Sequence, residues 1–444
     1  MKVKMIQNNF PKKDKCVLIG MRRLDHAPYI SSVLKEFGKL NCKIDIAMDK
    51  KYFTSEEEVK KLFFERYDVR IERVLILSGL IPKKLKNFLG VLTYVLGDVR
   101  DRDYMLRHFK RSRFPAPLMK YIDELAKFDL GKMFLSKLVS ICRATLYFSF
   151  SWRKFPKEYY LEDYSAVLIT PGNMINGVED DLLLLAGKRK IKSAVVAFSL
   201  DNLNSKGTVA LKPDHYFAWN SHHLNLLSSR HLIPKGSCIE IGSPFMDKFA
   251  YSQGLSLTRE REIRTQLGIP EFKKVVTYLG SSGNIHRNEQ NYLSALLQNC
   301  PIFLEEAFLV IRPHPANFKI WSNWKHPQTI VWPEEETLLE RNDTFEMELF
   351  HLSSYSIGLN TSAFLDAASC GNPVIALRTS ESLFQSNASH FNFLINSGIP
   401  TADSLGEANE IFHSGGMDVE AFVTRTLPNL GNSGTSIAQI ILRE

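Results

Sequence analysis

One short segment carries two side chains that suit phosphate binding. The run Arg312-Pro-His-Pro315 directly follows the apolar stretch 308–311, which predicts a buried strand. A guanidinium is permanently charged and fits phosphate geometry, and an imidazole N–H can donate to a phosphate oxygen. The two prolines stiffen the segment and hold the direction of His314. An isolated His-Pro pair is more often a plain turn, but its place after a strand and its pairing with a second motif favour a phosphate site.

That second motif places hydroxyl groups where a strand gives way to a helix. Gly358-Leu-Asn-Thr-Ser-Ala363 lies between a predicted strand over 354–358 and a predicted helix over 362–370. The hydroxyls of Thr361 and Ser362 could cap this helix, and the free N–H groups at its start form a seat for phosphate. Capping and phosphate binding are compatible, so a plain cap explains only part of the pattern.

A third segment, Gly280-Ser-Ser-Gly-Asn284, ends the predicted strand over 274–279. Small residues let a ligand approach the backbone closely, so Ser281 and Ser282 join the predicted phosphate-binding set. The segment lacks both the P-loop pattern and the G-x-G-x-x-G pattern. This excludes a P-loop ATPase and a dehydrogenase with the usual dinucleotide fingerprint.

The first half of the chain supplies three candidate bases. Asp25 and His26 follow the first predicted strand, and Asp201 lies in a polar segment after a later one. Any of them could take a proton from an acceptor hydroxyl, and the sequence does not choose among them. Asn202 and Lys206, from the same polar segment, are predicted to contact the acceptor or to support the groups that do. An ordinary polar turn is the alternative.

No metal site and no cofactor are predicted. Asp101-Arg-Asp103 lies in a basic, helical stretch, and no Asp-x-Asp pair is flanked by strands. The six cysteines are scattered without a C-x-x-C pair, which argues against a zinc site and favours a reducing compartment. We expect Arg312, His314 and helix N-termini, and not Mg²⁺, to stabilise the negative charge on a leaving phosphate.

These segments belong to two series of alternating strands and helices, an order that predicts two parallel-sheet domains. The predicted strands cover 16–20, 42–47, 166–170, 193–198, 215–219, 238–242, 274–279, 308–311, 329–332, 354–358 and 373–377. We place the domains at 1–245 and 246–444, the second ending in a helix over 436–443. Ligands sit beyond the carboxyl ends of such strands, so two facing domains predict an interdomain cleft.

The charge divides the chain into a basic part and an acidic part. Residues 1–160 hold 34 lysines and arginines against 18 acidic residues, a net of +16, and the remainder has a net of −8. Residues 55–160 are predicted as a basic, mostly helical insertion in the first domain. This charge predicts an anionic partner, such as membrane phospholipid, a lipid-linked acceptor or an acidic glycan; a solvated basic surface is the alternative. Without a recognised nucleic-acid fold, no nucleic-acid partner is expected.

The chain has no apolar run of the ~18–20 residues that a membrane span needs. Its first residues also lack the apolar core of a signal peptide. We therefore expect a cytoplasmic protein with peripheral contact at the inner face of the membrane.

The two-domain layout, with Arg312–Pro315 followed by Asn360–Ser362, resembles the GT-B superfamily. The similarity is to bacterial sialyltransferases and polysialyltransferases, capsular Kdo transferases and CDP-glycerol glycerophosphotransferases. In these families a His-Pro motif and a later Ser/Thr motif hold the phosphate and ribose of a cytidine-activated donor. The resemblance implies a donor-nucleotide site made of Ser281, Ser282, Arg312, His314, Asn360, Thr361 and Ser362.

The chain is also similar to a family of predicted bacterial surface-polysaccharide glycosyltransferases, over residues 160–410. The matching stretches are Leu200–Gly207, Pro213–Asn220, Ile241–Asp247 and Gln385–Phe391. Leu200 stands where that family usually has tryptophan, and Asn204 stands where it has threonine. From these stretches, Gln385 and His390 are predicted as further contacts to the acceptor or its supports.

The base is not carried over from the sialyltransferases. Their acid-acid-Gly motif has no clear match, because Glu179-Asp-Asp181 lacks the glycine.

The sequence thus predicts an enzyme, a metal-independent GT-B glycosyltransferase of surface-polysaccharide assembly, such as capsule or lipopolysaccharide. It would move a sugar from a nucleotide-activated donor, with cytidine nucleotides favoured, to a glycan or lipid-linked acceptor. Three alternatives stay open: a polyol-phosphate transferase of the CDP-glycerol type, a UDP-sugar 2-epimerase, and a non-catalytic binding protein of polysaccharide assembly.

Overall fold

The computed structural model describes most of the chain. The described residues are 15–79, 83–96, 116–151, 164–173, 177–206, 208–252, 254–283, 285–286, 288–333, 343–379 and 388–443.

Seven parallel strands form the first sheet, in the order β3-β2-β1-β4-β5-β6-β7. They are β1 Cys16–Met21, β2 Lys43–Asp49, β3 Ile71–Leu77, β4 Ala166–Thr170, β5 Lys192–Val196, β6 His215–Ala218 and β7 Cys238–Glu240. The central strands β1 and β4 are almost wholly buried. This follows from helices that cover both faces of a parallel sheet, and it explains why these strands are continuous apolar runs in the sequence.

The helices described in this half of the chain are α1 Ser31–Lys39, α2 Glu56–Tyr67, α3 Lys83–Val95, α4 Ala116–Leu125, α5 Asp129–Ser151, α6 Asp181–Arg189, α7 Asn202–Ser205 and α8 Ser221–Ser229. A short 3₁₀ segment, Leu24–Ile30, precedes α1 and carries two of the predicted site residues. None of the helices in the described part of the chain is long and apolar enough to cross a membrane.

Strand β3 lies within residues 55–160, the region predicted as a mostly helical insertion, where the sequence predicted no strand. It pairs in parallel with β2 and forms an edge of the sheet. Charged side chains at an edge protect a sheet from unwanted pairing, and here they also break up the apolar run that would signal a strand. One of them, Arg73, reaches the buried Asp45 of β2, with 2.9 Å between Nε and Oδ2.

Six parallel strands form the second sheet, in the order β10-β9-β8-β11-β12-β13. They are β8 Lys274–Leu279, β9 Ala307–Arg312, β10 Thr329–Val331, β11 Tyr355–Gly358, β12 Val374–Leu377 and β13 Thr401–Ala402. The helices described here are α9 Leu257–Leu267, α10 Glu289–Asn299, α11 Pro301–Glu306, α12 Asp343–Leu352, α13 Ala363–Ser369, α14 Ser389–Asn396, α15 Leu405–His413, α16 Val419–Thr426 and α17 Ser433–Leu442. The two parallel-sheet domains predicted from the sequence are confirmed.

The last helix, α17, crosses back and packs on the first domain. Its apolar side chains join the buried cluster around α1, where an added Cβ on Gly434 would lie 2.4 Å from the hydroxyl of Ser32. The carboxylate of Asp247 accepts from the backbone N–H groups of Gly431 at 2.9 Å, Ser433 at 3.1 Å and Gly434 at 2.7 Å. The predicted boundary at 245/246 stays a prediction, and the terminal helix lies against the first sheet.

Candidate active site

A cleft of about 540 Å³ lies between the two domains. Its walls are the loops after β1, β2, β5, β6 and β7 on one side and the loops after β9 and β11 on the other. All of these loops leave the carboxyl ends of parallel strands, where such folds bind ligands. The structure brings seven of the predicted site residues into this wall: Asp25, His26, Lys206, Arg312, His314, Thr361 and Ser362.

The imidazole of His314 is held as a neutral hydrogen-bond donor. The backbone N–H of Ala316 donates to its Nδ1 at 3.0 Å, which implies that the ring proton sits on Nε2. Burial, followed by the charge of Arg312, lowers the pKa of His314 to about 4. At neutral pH the side chain therefore offers an uncharged Nε2–H to a ligand in the cleft.

Arg312 supplies a cation at the end of β9. Its guanidinium is buried, and its Nε contacts the carboxylate of Glu346 on α12, which is also buried. An arginine carries five N–H donors, so one carboxylate contact orients the guanidinium and leaves other N–H donors for a ligand. Beneath it, Gly280 donates to the Arg312 carbonyl at 2.8 Å, and an added Cβ would lie 2.9 Å from the His314 nitrogen. The glycine therefore lets the two loops pack together.

Ser281 and Ser282 lie outside the cleft wall. Ser281 is fully buried, and its N–H donates to both carboxylate oxygens of Glu289 on α10, at 2.8 and 3.1 Å. Tyr278 donates to the same carboxylate at 3.0 Å, and burial raises the pKa of Glu289 to about 7. This contact fixes the loop that supports His314, and the donor role of the two serines stays a prediction.

The two hydroxyl groups that follow β11, those of Thr361 and Ser362, differ in their contacts. The Thr361 hydroxyl accepts from the N–H of Ala363 at 3.3 Å, which helps to start α13. Ser362 stands at the N-cap of α13 without a side-chain capping bond, and it is exposed in the cleft wall. Its hydroxyl is therefore available to a ligand. Asn360 is buried and lies outside the cleft wall, and its donor role stays a prediction.

The three candidate bases differ in how they are held. The Arg23 guanidinium contacts both oxygens of the Asp25 carboxylate. Its Nε donates to Oδ1 at 2.8 Å, and its Nη2 contacts Oδ2. His26 is a buried part of the wall, and burial, followed by the charges of Arg23 and Arg22, lowers its pKa to about 3. Such an imidazole is a weak base at neutral pH. Asp25 is therefore the better placed of the two.

Asp201 lies beside the cleft wall. It accepts from the hydroxyl of Ser199 at 2.6 Å, and its carboxylate is 3.7 Å from the ammonium of Lys206. Its negative charge also raises the pKa of His314, although burial and Arg312 outweigh it. Asp201 and Lys206, from the first domain, thus act electrostatically on a side chain of the second.

The other predicted acceptor residues lie outside the wall. Asn202 is buried and forms reciprocal bonds with Asn173, at 2.9 and 3.1 Å, which hold two loops of the first domain together. His390 is buried at the start of α14 and lowers the pKa of His222 on α8, after the larger effects of burial and a neighbouring histidine. Gln385 lies outside the described residues.

The structure adds cleft residues that the sequence did not single out. Arg22 donates to the hydroxyl of Tyr52 at 3.0 Å, and both line the first-domain wall. Tyr29 and Phe198 meet edge to face, with ring centres 4.8 Å apart. The paired arginines of the β1 loop were a visible signal, but the aromatic residues come from separate loops and have no local motif.

The described residues contain no group of three His, Cys, Asp or Glu side chains that could hold a metal ion. The expectation that the protein uses no metal and no cofactor remains a prediction.

By sequence, the chain matches no protein-family model and no curated protein. Solved structures do match it. UDP-GlcNAc 2-epimerase from Neisseria meningitidis, bound to UDP-GlcNAc, has a TM-score of 0.51 at 16% identity, over 97% of this chain and 100% of that one. This chain has the GT-B fold.

Two further solved structures are similar to the chain. The S. aureus MnaA–UDP structure has a TM-score of 0.51 at 13% identity, over 97% of this chain and 96% of that one. The wall teichoic acid polymerase TagF has a TM-score of 0.49 at 13% identity, over 97% of this chain and 88% of that one. The predicted α/β class, with two Rossmann-like parallel-sheet domains that face an interdomain cleft, is confirmed. The likeness is one of fold.

Proposed function

We propose that the protein is a metal-independent glycosyltransferase. It moves a sugar from a nucleotide-activated donor to a glycan or lipid-linked acceptor in the assembly of a bacterial surface polysaccharide, such as capsule or lipopolysaccharide. The observation that carries this proposal is the meeting of His314, Arg312 and Ser362 in one cleft, opposite the Asp25 carboxylate of the other domain.

The second-domain wall has the chemistry that a nucleotide phosphate requires. A permanent cation, a neutral N–H donor and a free hydroxyl come from Arg312, His314 and Ser362. Preorganised donors of this kind stabilise the charge that develops on a leaving phosphate. Two solved structures of the same fold contain UDP-GlcNAc or UDP, which supports a nucleotide-bound cleft here. A cytidine nucleotide is our first candidate, because the His-Pro and Ser/Thr motifs resemble families that use one.

The first-domain wall supplies the acceptor side. The carboxylate of Asp25 lies in the wall and can take the proton of an acceptor hydroxyl as the new bond forms. The contact with Arg23 holds the carboxylate in place. We place the reaction in the cytoplasm, at the inner face of the membrane.

A UDP-sugar 2-epimerase is the second candidate. The observation in its favour is that an epimerase bound to UDP-GlcNAc superposes over its whole length. Such an enzyme needs no acceptor. Conversion of UDP-GlcNAc in the absence of an acceptor would therefore establish the epimerase. A polyol-phosphate transferase is distinguished by its product, which would contain the transferred phosphate.

The first experiment is a thermal-shift panel of CMP, CDP, UDP, GDP, TDP and ADP, with Mg²⁺ or with EDTA. A ligand at ~100 times its Kd adds about 2.7 kcal/mol of stability, which such an assay detects. We expect stabilisation by CMP or CDP that EDTA leaves unchanged. Stabilisation by UDP alone would favour the epimerase or a UDP-sugar transferase, and no stabilisation by any nucleotide would contradict the proposal.

A further inference from the structure

Helix α5 has two apolar faces. One faces the core through Leu135, Val139 and Leu146, which are buried. The other consists of Leu130, Phe134, Ile141 and Phe148, whose exposed fractions are 76, 58, 61 and 68%. We call these four residues the outer stripe. A surface helix of a globular protein normally carries polar residues on this face.

The outer stripe is continuous along the helix. At 3.6 residues per turn its four members fall within about 40° of one another, and they span about 27 Å along the axis. Three further exposed apolar side chains lie on α4 and in the turn that follows it: Leu118, Tyr121 and Phe128. With Met133, segment 116–151 holds eight of the fourteen exposed large apolar side chains in the described part of the chain. Scattered single residues would need no explanation, but a concentration like this marks an interaction surface.

The helix that carries this surface is held firmly. Arg143 is buried and donates to four backbone carbonyls of the first domain, those of Val209 at 2.6 Å, Ala210 at 3.2 Å, His231 at 2.5 Å and Leu232 at 3.2 Å. The outer stripe therefore faces outward because α5 is fixed in place by its inner face, and not because the helix is loosely packed.

Charge identifies the occupant. The described residues 83–96 and 116–151 hold eight lysines and arginines against three acidic residues, a net of +5. Lys137 stands seven residues after Leu130, on the side of the outer stripe, and Lys120 is exposed on α4. An apolar face bordered by lysines suits a bilayer with anionic lipids, where apolar side chains enter the interface and the lysines meet headgroups. A second copy of the same face would bring like charges together.

We propose that α4 and α5 dock the protein on an anionic membrane surface, with the outer stripe inserted into the headgroup region. The donor site plays no part in this inference, which therefore stands or falls independently of the proposed reaction.

The test is flotation of the full-length protein with phosphatidylcholine vesicles, with and without phosphatidylglycerol, at low and high salt. We expect flotation with the anionic vesicles that weakens as salt rises. The variant Phe134→Ser/Ile141→Ser/Phe148→Ser should lose at least about tenfold in vesicle partitioning, because the three side chains supply most of the inserted apolar surface. Lys120→Gln/Lys137→Gln should weaken binding to anionic vesicles only.

A matched control is Leu257→Ser/Phe272→Ser, since both residues are highly exposed, at 75 and 82%, but belong to the second domain. It should float like the wild type, and all variants should keep the wild-type melting temperature because only exposed positions change. Three results would overturn the proposal: no flotation of the wild type, equal flotation of the stripe variant, or a wild-type dimer in sedimentation velocity that the stripe substitutions dissociate.

Discussion

Replacing His314 with asparagine tests the central feature of the donor site. The structure gives the imidazole a pKa of about 4 and a proton on Nε2, so about one molecule in a thousand is charged at pH 7. Its contribution is then one hydrogen bond to a charged phosphate, about 1.5–3 kcal/mol. We expect His314→Asn to raise the nucleotide Kd by about 10- to 150-fold.

Isothermal titration calorimetry with the best nucleotide of the panel measures this loss. Because His314 stays neutral, the ratio of variant to wild-type Kd should not change between pH 6 and pH 8, after allowance for the titration of the nucleotide itself. His413→Asn is the control, since His413 is exposed on α15 and contacts Lys274 at 3.0 Å. The reasoning would be refuted if the wild-type advantage grew steeply below pH 6.5, as an imidazolium requires, or if His314→Asn bound as tightly as the control.

Three further predictions follow from buried carboxylates and from the cleft. Burial, then the charge of the aspartate that follows it, raises the pKa of Glu179 from 4.5 to about 7. The protonated form is thus favoured in the fold, and stability is lost as pH rises through this window. Glu179→Gln should therefore stabilise the protein at pH 8 by about 3 kcal/mol at most, with no gain at pH 4. Asp247→Ala leaves three buried backbone N–H donors without their acceptor and should lower the free energy of unfolding by about 3 kcal/mol or more. Asp25→Asn should slow sugar transfer by about 10²-fold or more while leaving nucleotide affinity unchanged.

Urea unfolding followed by circular dichroism measures the first two, and product formation with calorimetry measures the third. The burial argument fails if Glu179→Gln melts below the wild type at pH 8. If Asp247→Ala unfolds at the same urea concentration as the wild type, this carboxylate does not hold the start of α17 against the first domain. If Asp25→Asn keeps its full rate, the base is another group of the first domain.

The central strands could be predicted from sequence because both of their faces are buried. Lys274–Leu279 and Ala166–Thr170 were predicted with their observed bounds, since a continuous apolar run admits little else. Strand β3 was missed because it lies at an edge, where Glu72 and Arg73 interrupt the run. The local hydrophobic pattern of a sequence therefore predicts a strand well only where helices cover both faces of that strand.

The site was predictable only in part. Arg312 and His314 follow a strong strand directly, so their position at the sheet edge was implied by local sequence. Ser281 was predicted as a ligand from its loop of small residues, and that role stays a prediction. The contact of its backbone N–H with a carboxylate eight residues further along the chain, on α10, has no signal in the local sequence. The aromatic wall combines residues from loops almost two hundred positions apart, such as Tyr52 and Phe245, whose proximity only the tertiary structure reveals.

The crossing of α17 has a consequence for how the cleft can open. The chain passes between the domains twice, and the two passages touch: Gly242, with φ of +85°, leaves no room for a Cβ, which would lie 2.2 Å from the Pro428 carbonyl. Asp247 and Asn429 add hydrogen bonds between the same two segments. The two connections are therefore fastened side by side, and any movement of the domains that separates these segments would break the hydrogen bonds of Asp247 and Asn429.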